Sequence, residues 1–205
     1  NWGTEKITGV WLAHWMTKPE HRFGIGVLLM KKLIETYPVV AGQGASAMNQ
    51  QIVAKMRFRF LDTIPKVVYI FRAAELNSFF GTALAPGRAV PAGARAPVAA
   101  VTSLNEKNFD PDWTEYPSLK YGTLRNCAYL NDRFINFPFL RYEVYVEGDS
   151  RTPTVCVARV VNTAEGIRVA RILEFFYPEN DSGRANALKL IGGCLAHFRE
   201  IGCHY

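Results

Sequence analysis

Apolar residues Ile25, Leu28, Leu29, Leu33 and Tyr37 recur at three- and four-residue steps, while Lys31, Lys32 and Glu35 fall on another face. This pattern predicts an amphipathic helix that Pro38 ends. Ahead of it an apolar run over residues 10–16 reads as a strand. Further along, residues 140–147, 154–161 and 167–176 alternate as strands, with turn residues at 147–150 and 162–166 between them, so an antiparallel meander is expected. A last helix is expected over 184–201, with Leu188, Ile191, Leu195 and Phe198 on one face and Gly192-Gly193 allowing close approach to a sheet. Residues 73–80 read as a short helix.

Between the first strand and the first helix lies Pro19-Glu20-His21-Arg22-Phe23-Gly24-Ile25-Gly26. Free amides at a helix start point at whatever occupies the preceding turn, and glycines remove the side chains that would hold a ligand away. A phosphate or pyrophosphate is the natural occupant. Plain turn chemistry accounts for the same glycines without any ligand.

A strand, a turn with R/Q-x-x-G-x-G/A and a helix bind the pyrophosphate of acetyl-CoA in the GCN5-related N-acetyltransferases, the GNAT superfamily, and residues 10–37 resemble that unit. The next segments resemble the same fold in order: a short strand at 38–42, a helix at 45–56, and closing strands at 58–62 and 66–71. The resemblance implies that Trp15, Met16 and Thr17 pair with pantetheine amides, and that Arg22, Phe23, Gly24, Ile25, Gly26 and Val27 hold the pyrophosphate. With spacing kept, His21 takes the Arg/Gln position; with Arg22 there, the loop is one residue short. The family's Y-x-x-x-G-F reads here as Val53, Arg57 and Phe58, so the tyrosine that protonates the leaving thiolate has no counterpart.

The charge of +6 and the sequence pI of about 9.2 suit an anionic partner such as CoA. The basic residues are dispersed rather than clustered, which argues against nucleic acid. No apolar run approaches the roughly 20 residues that span a bilayer, and no signal-peptide layout opens the chain, so a soluble, cytoplasmic protein is expected. Cys127, Cys156, Cys194 and Cys203 show no disulfide framework and fit a reduced compartment.

Ala, Pro and Gly accumulate over 81–99, which reads as a linker. Residues 100–205 resemble the first half of an acetyltransferase-like domain, whereas 1–80 resemble a second half. The expected fold class is therefore α/β (α+β): a mixed, mostly antiparallel sheet flanked by helices, built from two partial halves of a longer tandem protein. One continuous sheet joining strands from both sides of the linker, or a homodimer doing the same, would complete it. The loop Asn180-Asp181-Ser182-Gly183-Arg184 lacks paired glycines and reads as an Asx-type cap at Asp181 or Ser182.

Other constellations carry less. Cys194, His197, Cys203 and His204 match no familiar zinc spacing. His14 reads as a partnered core or cleft residue. Trp11, Trp15, Tyr116, Tyr121, Tyr129 and Tyr142 could line an acceptor pocket or simply fill core, and Glu20 and Glu143 are candidate bases. The resemblance implies an acyl-CoA-dependent acyltransferase using acetyl-CoA and a small-molecule or peptide amine. The alternative is a catalytically degenerate ligand-binding or protein-interaction module.

Overall fold

The computed structural model describes residues 7–12, 24–42, 47–60, 67–81, 83–87, 98–119 and 123–205. The chain forms two compact units that divide between Pro65 and Lys66. Residues 67–80 thus belong with the second unit, not with the first, and the boundary falls ahead of the 81–99 stretch read as a linker.

The first unit holds β1 (Gly9–Leu12), α1 (Ile25–Thr36), β2 (Val39–Gly42) and α2 (Ala47–Lys55). β1 and β2 pair in parallel, with Gly9 opposite Val39 and Leu12 opposite Gly42. Parallel neighbours need a crossover, and α1 supplies it. The helix lies where its periodicity predicts, but it turns a different row inward. Met30 is buried and Val27 and Leu33 half-buried, whereas Ile25, Leu28 and Leu29 are 51%, 64% and 56% exposed. α1 is apolar around most of its first two turns, so the period fixes the helix but not the row that meets a sheet only two strands wide.

α2 ends in a Schellman motif. The Phe58 amide donates to the Val53 carbonyl at 3.2 Å and the Arg57 amide to the Ala54 carbonyl at 3.0 Å, with Arg57 left-handed at φ 64°. Residues 58–60 hold no strand, and 61–66 lie outside the described residues.

In the second unit, α3 (Ala73–Phe80) precedes two 3-10 turns, Trp113–Glu115 and Pro117–Leu119. Next comes α4 (Cys127–Leu130), which runs on into a π turn, Asn131–Ile135. The expected meander is present as β3 (Glu143–Glu147), β4 (Thr154–Asn162) and β5 (Arg168–Phe176), antiparallel in that order, and α5 (Asp181–Glu200) closes the unit. The β4–β5 register slips at Val157/Ala158, which pair with Glu174 and Ile172, so Leu173 is an extra, bulged residue.

Period-two alternation sorts β4 between two cores. Val155 and Val157 join Val144 and Phe176 beneath Tyr116, Leu130 and Phe134 on one face. Cys156 and Ala158 meet Leu190, Cys194 and Phe198 of α5 on the other. α5 buries Gly183, Ala187, Leu190, Cys194 and Phe198 and leaves Leu188 67% exposed, so the row through Leu188, Ile191 and Leu195 is not the one turned to the sheet. At the helix start Gly183 lets the chain turn tightly: a Cβ there would sit 2.1 Å from the Pro178 carbonyl oxygen.

Among the described residues the strands form two sheets, β1-β2 and β3-β4-β5, rather than the one continuous sheet expected. Residues 67–70 make no regular strand either. Instead the Phe71 and Arg72 amides donate to the His204 carbonyl, and His204 in turn donates from its own amide to Arg168 of β5 at 2.7 Å. A small third core of Leu76, Ile167 and Val169 fixes α3 beside the far end of β5.

Candidate functional site

Gly24 caps α1 in the left-handed region, at φ 81° and ψ 1°, and its carbonyl accepts the Leu28 amide at 3.0 Å. Only glycine adopts that conformation without strain. Among the described residues no side chain caps the helix start, and its first turn carries no acidic residue. A Cβ built on Gly24 would find nothing within 4 Å. Among the described residues, the amides that open α1 meet neither a side-chain acceptor nor a carboxylate, and none lies within 4 Å of a Cβ built on Gly24.

Of the residues expected to bind CoA, Gly24, Ile25, Gly26 and Val27 form this cap and first turn. Trp15, Met16, Thr17, Arg22 and Phe23 lie outside the described residues, as do His14, Glu20, His21 and Tyr121.

α5 also follows a strand, and its start is closed. Asn180, one residue ahead of the expected Asp181 or Ser182, is the cap: its Oδ1 accepts the Gly183 amide at 2.8 Å. Asn180 Nδ2 donates to Glu115 at 3.0 Å, Glu179 accepts the Ser118 amide at 2.8 Å, and Asp181 stands in the first turn. Carboxylates and a bound side chain thus occupy the ground an anion would need. Among the described residues the two helix starts differ: that of α1 has no side-chain cap, and that of α5 is capped by Asn180.

The described members of the aromatic set, Trp11, Tyr116, Tyr129 and Tyr142, do not assemble a pocket; Trp15 and Tyr121 lie outside the described residues. Tyr116 is fully buried with its hydroxyl donating to the Pro153 carbonyl at 2.7 Å, and Tyr129 and Tyr142 pack against the same core, while Trp11 stands 60% exposed on β1. The three tyrosines fill the second unit's core because the antiparallel sheet needs bulk on that face.

Glu143 is more informative. The Tyr145 hydroxyl donates to its Oε2 at 2.6 Å, and His197 Nε2 lies 4.0 Å from the same oxygen. Burial first, then the hydrogen bond to Glu143, push the Tyr145 phenol far above its ordinary range, so it stays a proton donor. Glu143 is thereby engaged as an acceptor. A second such group, which the sequence does not flag, is Glu174: Arg125 Nε donates to one oxygen at 2.7 Å and the Tyr129 hydroxyl to the other at 2.9 Å. Its partners are 45 and 49 residues away, so no local spacing signals it.

The cysteine and histidine residues near the end of the chain diverge. Cys194 and Cys203 are buried in the core beneath α5. A hydrogen bond with Cys156 and then burial raise the Cys194 thiol, which removes it as a ready thiolate. His204 pairs instead with Glu75 at 3.0 Å and accepts the Arg168 amide on Nδ1 at 3.0 Å. Among the described residues no three ligand-type side chains meet as a metal site, and no helix is long and apolar enough to cross a membrane.

Compared with family models, curated proteins and solved structures, the chain gives no match in any of the three.

Proposed function

We propose that the chain is an acyl-CoA-dependent acyltransferase of the GNAT type, whose first unit receives the pyrophosphate of acetyl-CoA at Gly24–Val27 and whose acceptor is an amine. The observation that carries this reading is the start of α1, which among the described residues has no side-chain cap and no carboxylate, behind a left-handed glycine within a parallel strand–helix–strand unit. Helix starts of this kind suit phosphate groups by amide donation and by the helix dipole. The second unit supports the same relationship by its order, an antiparallel meander followed by a helix.

In this reading the amine attacks the thioester carbonyl, a C–N bond forms, the C–S bond breaks, and CoA leaves as its thiol after the ammonium proton is lost. Positioning and polarisation of the carbonyl by a backbone amide supply the rate enhancement. Val53, 8% exposed on α2, offers no proton to the thiolate. That residue favours the second reading, a module that binds a CoA-type ligand without turnover.

Calorimetric titration with acetyl-CoA and with free CoA tests the shared premise. Binding is expected, with Gly24→Val and Gly26→Val weakening it far more than His21→Ala. No binding, or unchanged affinity in both glycine variants, removes the site from this turn. Given binding, acetyl transfer to a panel of simple amines separates the readings: measurable turnover supports the enzyme and none supports the module.

A further inference from the structure

On the face of the second unit's sheet away from α5, two cores cover two separate stretches. Val157, with Glu174 opposite it, lies at the core that holds Tyr116, Leu130 and Phe134. Val161 pairs with Val169, which lies at the core that holds Leu76 of α3. Between these pairs, on the same face by the two-residue period, stand Arg159 and Arg171, directly opposite each other on β4 and β5.

Arg159 is half-buried and Arg171 exposed, and neither joins a hydrogen bond or ion pair among the described residues. Like charges facing each other across a ladder, with Cβ atoms about 5 Å apart, destabilise a sheet. Every carboxylate on the three strands is already engaged. Glu174 is held by Arg125 and Tyr129, Glu143 by Tyr145 on the opposite face, and Glu147 by Lys189 of α5. Arg168, the remaining arginine of β5, donates to the Ile201 carbonyl. Arg133 is itself taken up over the Tyr129 ring, 5.7 Å from its centroid. Among the described residues, the three strands thus offer these arginines no free carboxylate.

We propose that Arg159 and Arg171 form an anion site for the terminal phosphate of a phosphomonoester. Two adjacent guanidinium groups match a dianion in charge and can each present a two-pronged donor set to its oxygens. A phosphodiester carries one charge per group and leaves one arginine uncompensated, so a nucleic-acid backbone is the poorer fit. This site is independent of the turn at Gly24 and stands or falls apart from it.

The test is calorimetric titration of the full chain with inorganic phosphate, glycerol phosphate and a short oligothymidylate lacking terminal phosphates. Alongside it, the Nε–Hε NMR signals of Arg159 and Arg171 are tracked. The expected result is binding of phosphate and of the monoester with shifts at both signals. Arg159→Gln or Arg171→Gln should lower the affinity by at least about fivefold, and the double variant by more than about tenfold. Gly24→Val and Arg141→Gln should leave it unchanged. Without phosphate, Arg171→Gln should raise Tm, because it removes the opposed charge while the strand remains, and this readout also shows that the variant folds. Absence of phosphate binding by the unaltered chain, equal binding by the double variant, or tighter binding of the oligothymidylate than of glycerol phosphate would each overturn the assignment.

Discussion

Replacing Arg57 by glycine should stabilise the first unit. Arg57 is the left-handed residue of the Schellman motif that ends α2, at φ 64°, and the other described residues at positive φ are all glycines. A residue with a Cβ gives up about 1–2 kcal/mol in that conformation. Glycine restores it, at a cost of about 0.5–1 kcal/mol in extra freedom of the unfolded chain. The Arg57 side chain is exposed and makes no hydrogen bond or ion pair among the described residues, so its removal forfeits little. The net gain is about 0.5–1 kcal/mol, or a two- to fivefold rise in protection, since about 1.4 kcal/mol is tenfold. Native-state hydrogen exchange on the full chain reads it at the Phe58 amide, which closes the motif on Val53. Arg57→Ala keeps the Cβ and should show no gain. If alanine protects as well as glycine, or if glycine lowers protection, left-handed strain is not what the position carries.

Substitutions at three further positions probe the second unit. Thr154 is fully buried and its hydroxyl has no hydrogen-bond partner among the described residues, so Thr154→Val, which keeps the shape, should raise stability by about 1 kcal/mol in urea titration, whereas Thr154→Ser should lower it. Gly183→Ala should cost about 2 kcal/mol or more in the same assay, because its Cβ would meet backbone at Pro178 and α5 would have to move. Burial, and after it the negative charge of Glu174, push the Tyr129 phenol up to about 12 from 10.0. Its folded value is raised, so this contribution is whole below pH 10 and is lost as pH rises from there through about 12; urea midpoints between those values should fall less steeply for Tyr129→Phe. An unchanged slope in that variant would assign the alkaline loss to Tyr116 and Tyr145, whose phenols are also raised.

The candidate turn at Gly24 is legible in sequence because its requirements are local. A positive φ, a helix start without a capping side chain and an apolar period downstream are all set by residues a few positions apart. The meander is legible for the same reason, since alternation and turn residues specify strands one by one. The filled start of α5 is not legible to the same depth. Asn180 is a local cap, but the carboxylate of Glu115 that it engages lies 65 residues away in the chain.

By itself, then, the sequence determined the meander strands and where α1 and α5 begin and end to within a few residues, but not residues 58–60 and 67–70, which read as strand and form none. Tertiary structure decided which row of each helix faces a sheet, because α1 and α5 both carry more apolar rows than one sheet face can cover. It moved the boundary between compact units to Pro65/Lys66 and withdrew residues 67–72 from the first unit, because the amides of Phe71 and Arg72 find the His204 carbonyl. It also gathered arginines that look dispersed along the chain. Arg159 and Arg171 become neighbours only when β4 and β5 pair, and that pairing depends on a bulge at Leu173 that no local spacing announces.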